Sequence, residues 1–235
     1  MRIALFGHGA MGRLVEERAR GEGHEIALVL TSRDAGREEE LGEQLRGLDA
    51  AIDFSVAGAV AANAKLCARA KVPLVIGTTG WREEEEGVRR LFEEHGGALL
   101  YGANFSIGVN LFYRVVERAA ELFARFDAYS PFIEEAHHAR KRDAPSGTAL
   151  KLREHLAARY EGDIPVSSTR AGNIPGTHRV GFDSAADQVL LTHTARSREG
   201  FAAGALAAAR WIQGRRGVYE FTEMIDEMLG ASFKT

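Results

Sequence analysis

A short apolar strand that stops on glycine is the strongest constraint this chain places on its own fold. Residues 2–6, Arg2-Ile3-Ala4-Leu5-Phe6, read as a buried strand, and Gly7-x-Gly9-x-x-Gly12 follows at once, ahead of a helical pattern through Leu14, Val15 and Ala19. Three glycines at that spacing are a weak signal alone. Between a strand and a helix each has a physical job. The first permits the tight turn, the second lets a pyrophosphate approach the backbone, and the third lets helix and strand pack closely. In that setting the pattern predicts a dinucleotide-binding crossover.

The next segments extend that unit. Strand patterns at 25–31, 49–54, 72–76 and 98–101 are interleaved with helical ones at 60–70 and 82–94. Such alternation predicts a parallel sheet covered on both faces. The rhythm changes after Phe105. An amphipathic helix is expected over 108–126, with Leu111, Val115, Ala119 and Leu122 on one face, then a strand at 131–136 and a helix at 147–160. Strands at 166–170, 178–184 and 188–194 are joined by Gly/Asn/Pro/Asp turns. Helices over 201–212 and 221–229 close the chain. The expected fold class is therefore α/β: a Rossmann-type dinucleotide-binding domain of residues 1–104, completed by 201–235, plus an α+β domain with a mixed sheet over 105–200.

Composition removes several classes of function. The formal net charge is −3, with 45% hydrophobic and 27% charged residues, so no basic surplus points to nucleic acid or an anionic membrane. No apolar run reaches membrane-spanning length. Cys67 is the one cysteine, which rules out a disulfide framework within the chain and predicts a reducing, cytoplasmic setting. The apolar start, Met1 to Phe6, is interrupted by Gly7 and is too short for a signal peptide.

The strand ends carry the cofactor chemistry. In this architecture the second strand usually ends in an Asp or Glu that holds the adenosine ribose. Here the residues are Leu30-Thr31-Ser32-Arg33-Asp34. Ser32 and Arg33 suit a 2′-phosphate, which favours NADPH over NADH; the competing reading makes Arg33 a solvated charge and gives the ribose to Asp34. Asp53-Phe54-Ser55 and Gly77-Thr78-Thr79-Gly80 end the next two strands. Ligands of open α/β sheets bind at such ends, so these residues are expected at the nicotinamide ribose and carboxamide, or are ordinary turns.

Glu135-Ala136-His137-His138-Ala139-Arg140-Lys141-Arg142-Asp143-Ala144-Pro145-Ser146-Gly147-Thr148 concentrates the remaining chemistry. Adjacent side chains of a strand face opposite ways, so His137 and His138 are expected to do different jobs. A metal centre needs converging ligands, and no third ligand with convincing spacing is found, so none is expected. The Pro-Ser-Gly-Thr run opens a helix. It is either a plain cap or a carboxylate cradle of exposed N–H groups and hydroxyls.

This segment, as Glu-x-His-His-x-x-Lys-x-Asp-x-Pro-Ser-Gly-Thr-Ala from Glu135 to Ala149, resembles the signature of the 4-hydroxy-tetrahydrodipicolinate reductases, also called dihydrodipicolinate reductases. Met11-Gly12-Arg13, Gly77-Thr78-Thr79-Gly80, Ala103-Asn104-Phe105-Ser106 and Ser197-Arg198-x-x-Phe201-Ala202-x-Gly204-Ala205 are similar too, so the resemblance covers nearly the whole chain. It implies hydride transfer from NADPH or NADH to C4 of the cyclic imine formed when the hydroxylated substrate loses water. It implies His137 and Lys141 as the proton-donor pair, and His138, Gly147 and Thr148 as the groups that bind the small dicarboxylate. It places the cofactor against Gly7, His8, Gly9, Ala10, Met11, Gly12, Ser32, Arg33, Phe54, Gly77, Thr78, Thr79, Gly102, Ala103, Asn104 and Phe105. It further implies that 105–200 binds substrate and builds a homotetramer. With cofactor and substrate on separate domains, closure about hinges near Asn104 and Gly200 is expected to precede chemistry. Two features depart from the family pattern. The strand-end acid is missing, and the stretch between Arg33 and Asp49 is short, as if a strand or loop on the adenosine side were lost. A related two-domain amino-acid dehydrogenase is the alternative, but it would not need the full histidine segment.

Overall fold

A computed structural model describes residues 1–34 and 36–230; the end of the expected span 201–235 lies outside the described residues. In chain order the elements are β1 (Arg2–Phe6), α1 (Ala10–Gly21), β2 (Glu25–Leu30), α2 (Glu38–Leu45), β3 (Ala50–Asp53), α3 (Val60–Ala70), β4 (Leu74–Ile76), α4 (Glu85–Glu94) and β5 (Ala98–Tyr101). They continue as α5 (Ile107–Phe123), β6 (Ser130–His137), α6 (Gly147–Ala157), β7 (Val166–Arg170), β8 (Thr177–Asp183), β9 (Gln188–Thr194), α7 (Glu199–Trp211), β10 (Gly217–Glu220) and α8 (Phe221–Met228). The chain divides into two compact units, one of Met1–Ile107 with Arg198–Thr235, the other of Gly108–Ser197.

The first unit is a six-stranded sheet in the order β10-β5-β4-β3-β1-β2, with every pair parallel. Both faces are covered. Ile3, Leu5, Ile52, Val75 and Leu100 pack against the apolar side of α1, α7 and α8, while Ala4, Phe6, Leu74, Ile76 and Leu99 pack against that of α2, α3 and α4. Alternation along each strand divides the two cores, and each fully buried Leu or Ile contributes about 1.5–3 kcal/mol. From β1 the sheet grows toward β2 on one side and β3 on the other. A ligand crevice opens at such a reversal, beyond the carboxyl ends of the strands.

Two elements were not expected from sequence. Helix α2 occupies the short stretch after Arg33, and among the described residues β2 forms the sheet edge with no strand beyond it. Strand β10 extends the sheet by pairing with β5, Val218 opposite Leu99. Gly-Val-Tyr-Glu is too short to show a period, so only the β5 edge makes it a strand.

The second unit is a four-stranded mixed sheet, β7-β6-β8-β9, in which β6 and β7 are parallel and the other pairs antiparallel. One face carries Ile133, Val180 and Phe182 against Val109, Phe112 and Val116 of α5 and Leu152 and Leu156 of α6. The stripe expected to be buried on α5 is not the one used. Leu111, Val115 and Leu122 are 38%, 52% and 47% exposed, and the helix turns Val109, Phe112, Tyr113, Val116 and Ala120 to the sheet. The helix is apolar on two adjoining stripes, and the sheet selects the one carrying the aromatic rings. No helix among the described residues is long and apolar enough to cross a membrane.

Candidate active site

The glycine turn of the first unit has the geometry a dinucleotide phosphate needs. Gly7 takes φ +89°, and a Cβ there would lie 2.5 Å from the Phe54 carbonyl oxygen. At Gly12 a Cβ would collide with the Gly7 carbonyl, while Gly9 has open space around it. Helix α1 has no side-chain cap and no acid in its first turn, so its leading N–H groups stay open to an anion. Ala10 is exposed and Met11 half-buried. His8 is tied down, its Nε2 2.6 Å from Glu16 Oε2, and this contact together with Arg20 lowers the pKa of Glu16.

At the end of β2 the Asp34 carboxylate is already engaged within its own loop. The Asp34 carboxylate accepts from Thr31 N–H at 2.9 Å and Thr31 Oγ1 at 3.2 Å, and its other oxygen takes Arg37 at 3.1 Å. It caps its own turn. Ser32 and Arg33 are exposed, and among the described residues the Arg33 guanidinium makes no hydrogen bond.

Asp53 at the end of β3 is fully buried and gathers donors. Its Oδ1 accepts Ser55 N–H at 2.8 Å, Ser55 Oγ at 2.7 Å and Thr78 Oγ1 at 2.7 Å, and its Oδ2 accepts Asn63 at 2.8 Å. Thr78 also donates its N–H to the Asp53 carbonyl and accepts Trp81 Nε1 on its own carbonyl. Thr78 therefore holds the turn, and exposed Thr79 is the one that faces solvent. Gly77 has no room for a side chain beside the Phe54 ring, and at Gly102 a Cβ would lie 2.8 Å from that of Phe221. Asn104 Oδ1 accepts Ser106 N–H at 2.9 Å. Met11, Phe54, Gly77, Ala103 and Phe105 line one cleft together with Arg198 and Phe201, which sequence reasoning had not placed in the site.

In the second unit the hub is Glu135, whose side chain is fully buried. Oε1 accepts Ser146 N–H at 3.0 Å, Ser168 Oγ at 2.7 Å and Arg170 Nη2 at 2.7 Å. Oε2 lies 3.2 Å from His137 Nδ1 and 3.7 Å from His178 Nε2. Burial alone would raise the pKa of this carboxyl, but the donors from Ser146, Arg170 and Ser168 hold it at about 2. Burial lowers the His137 pKa against the pull of Glu135, and Lys141 and Arg170 lower it further. His178 is pushed down to about 4, mainly by burial and then by neighbouring His137.

His137 closes β6, and His138 lies just beyond it, half-buried, with Nδ1 buried and unpartnered among the described residues. Lys141 Nζ donates to both Asp143 oxygens at 2.8 Å, which lowers the Asp143 pKa. Arg170 Nη2 also donates to the Asp143 carbonyl at 2.6 Å, tying that loop to β7. Ser146 caps α6, its Oγ accepting Ala149 N–H at 3.2 Å. The next two residues, Gly147 and Thr148, present N–H groups that the helix cannot satisfy itself. Burial raises the Tyr113 pKa, and the neighbouring Thr148 hydroxyl opposes that shift.

The structure corrects one expectation here. A third potential ligand does converge on the histidine segment, since Glu135, His137 and His178 place one ligand atom each within 4.8 Å of one another. His178 escaped because antiparallel pairing sets it opposite Glu135 from far along the chain. The Arg170 guanidinium already neutralises the shared carboxylate, so the cluster reads as a hydrogen-bond hub and not as a cation site. Ser168, Arg170 and His178 carried no local signal, because their place depends on strand register.

A parallel sheet with a glycine-rich turn at its reversal point, joined to an α+β unit bearing a buried acid–base cluster, defines a nicotinamide-dinucleotide-dependent oxidoreductase of two units. Comparison with known proteins narrows that class: the family profile for "Dihydrodipicolinate reductase, N-terminus" matches residues 1–105 and that for its C-terminus matches 108–225. The chain belongs to the dihydrodipicolinate reductase family, the NAD(P)H-dependent reductases of lysine and diaminopimelate biosynthesis. It is 35% identical over 240 residues to the 4-hydroxy-tetrahydrodipicolinate reductase of Christiangramia forsetii, covering 97% of this chain and 99% of that one. It is 36% identical over 263 residues to that of Archaeoglobus fulgidus, covering 96% and 100%. The fold is shared with a dipicolinate-bound dihydrodipicolinate reductase from Paenisporosarcina sp., at a TM-score of 0.79, 23% identity and 95% and 99% coverage. A probable dehydrogenase from Thermotoga maritima also shares it, at a TM-score of 0.62, 10% identity and 96% and 93% coverage, so architecture alone does not name the substrate.

Proposed function

We propose that this chain reduces the cyclic imine formed from 4-hydroxy-tetrahydrodipicolinate, with His137 and Lys141 supplying the proton and His138, Gly147 and Thr148 gripping the substrate carboxylates. The observation that carries this reading is the shared carboxylate. Glu135 contacts His137 with one oxygen and accepts the Ser146 N–H with the other, so an acid–base imidazole and a helix N-terminus are built into one constellation. Bound NAD(P)H supplies a hydride to C4 of the ring. Negative charge then builds at the far end of the conjugated imine, where a positioned acid must quench it. Burial lowers the His137 pKa, so the ring, once protonated, is a stronger acid than a free imidazole and hands its proton on readily. The Lys141 ammonium and the open N–H groups of α6 supply positive potential for a dianionic substrate.

The turn from Gly7 to Gly12 would hold the pyrophosphate, with Phe54, Gly77, Thr79 and the segment from Gly102 to Phe105 around the nicotinamide half. Thr78 supports that turn from behind. Exposed Ser32 and Arg33 favour NADPH over NADH, since Asp34 is engaged by Thr31 and Arg37. The sheet face of the second unit turned away from α5 and α6 carries Leu190, which is 49% exposed, and we read that face as the interface of a cytoplasmic homotetramer.

The test generates substrate from aspartate semialdehyde and pyruvate with the preceding synthase and follows the loss of NAD(P)H absorbance. Turnover is expected. His137→Gln and Lys141→Ala should each lower kcat about 100-fold with little change in KM. Absence of turnover by folded protein would refute the reading, and full activity of His137→Gln would remove that residue from the acid role.

A further inference from the structure

We propose that Glu135 is the positioning residue of this site: its buried carboxylate fixes His137 with Nδ1–H toward the protein and Nε2 as the working nitrogen, and through Ser146 it holds that ring in register with the N-terminus of α6. The inference rests on the reading of His137 as the acid, but its own test does not depend on turnover.

The argument is one of hydrogen-bond supply. Glu135 Oε1 has three donors, from Ser146, Ser168 and Arg170. Oε2 is equally buried and has no aligned donor. A buried carboxylate oxygen left so has lost its hydration with nothing in exchange. Two imidazole nitrogens are within reach, and the nearer is His137 Nδ1 at 3.2 Å, itself buried and without another partner. His178 Nε2 is farther, at 3.7 Å, and lies 3.2 Å from Ser146 Oγ. A slight ring rotation aligns the His137 contact, as catalytic hydrogen bonds commonly tighten when substrate binds. Nδ1–H then serves Glu135, and Nε2 is left to exchange the proton.

The far edge of the ring supports this orientation. A Cβ at Gly176 would stand 3.2 Å from His137 Nε2, so glycine there keeps that nitrogen uncrowded. The charged groups facing His137 are Glu135 on its own strand, Arg170 on β7, His178 on β8 with ring centroids 5.0 Å apart, and Lys141 and Asp143 from the following loop. His193 on β9 stands behind His178. Arg170, Lys141 and burial all oppose a charged imidazole, and Glu135 is the fully buried carboxylate that favours one. The same carboxylate, through the Ser146 N–H, ties the proton donor to the helix end proposed to grip substrate.

Histidine-labelled protein without ligand tests this by NMR. Neutral His137 in the wild type should show the nitrogen shifts of the Nδ1–H tautomer. In Glu135→Gln its titration should move down by about one pH unit or more, because a neutral amide cannot offset the surrounding cations. Glu135→Asp, which keeps the charge, should retain most of the wild-type titration. In turnover, Glu135→Gln should lower kcat about 10-fold or more at neutral pH, and its rate should recover at lower pH while KM for NAD(P)H stays constant. A wild-type Nε2–H tautomer, or an unmoved titration in folded Glu135→Gln, would overturn the proposal. Should Glu135→Gln fail to fold, the wild-type tautomer and the Asp variant decide. If His137→Gln kept full activity while the tautomer and titration behaved as expected, the acid assignment would fail and the positioning role would stand.

Discussion

Arg33→Ala separates the two nicotinamide cofactors. The Arg33 guanidinium is exposed, with Asp34 as a coulombic neighbour, so a phosphate can reach it without breaking a buried contact. A charge pair about 4 Å apart in water is worth about 1 kcal/mol per unit product of charges, and a phosphate monoester carries about −1.5 to −2. Salt screening over a Debye length of about 8 Å trims that to about 1–1.3 kcal/mol, or about 5- to 9-fold. Arg33→Ala should therefore lower kcat/KM for NADPH by about that factor and leave kcat/KM for NADH unchanged. The assay measures both cofactors at low and at physiological ionic strength, and the gap between wild type and variant should shrink as salt rises. A cofactor ratio that does not move in Arg33→Ala would refute the reasoning. It would return Arg33 to the status of a solvated loop charge.

Two further outcomes follow from packing and from titration. Gly204→Ala gains helix propensity of about 1 kcal/mol, yet its Cβ would strike the Phe105 carbonyl and crowd the Phe221 ring at 3.2 Å, both parts of a core that cannot yield freely. A net loss of about 1–3 kcal/mol is expected, read as a fall in Tm of about 2–12 °C; an unchanged Tm would show that the backbone gives way. The second unit should lose stability in two steps as pH falls. His178 titrates at about 4 in the fold against 6.5 in the open chain, so its contribution is complete above 6.5 and is lost toward pH 4. Glu135 titrates at about 2 against 4.5, so its contribution is complete above 4.5 and is lost toward pH 2. Each is worth at most about 3 kcal/mol. Amide exchange in β6 and β8 at graded pH checks this, and Glu135→Gln should abolish the lower step and, by removing a charge that favours the protonated His178 ring, move the upper step further down.

The sequence determined whatever depends on neighbours along the chain. The strand-glycine-helix start, the alternation of strands and helices to Tyr101 except for α2, and the four strands of the second sheet were legible, because a two-residue or 3.6-residue period and the conformational freedom of glycine are local properties. The proposed site residues His137, Lys141, Gly147 and Thr148 stood out in sequence for the same reason, since they fall within one strand end, loop and helix start. Tertiary structure decided what depends on register and on choice between equals. Strand β10 exists because β5 offers an edge, and α5 buries Val109, Phe112 and Val116 over Leu111 and Val115 because the sheet beneath accepts that stripe. Thr78, expected beside the cofactor, donates its hydroxyl to Asp53, a contact that only the pairing of β3 with β4 creates. Above all, Ser168, Arg170 and His178 meet Glu135 only when β7 and β8 flank β6 in one register, and a shift of a single residue would turn all of them to the opposite face.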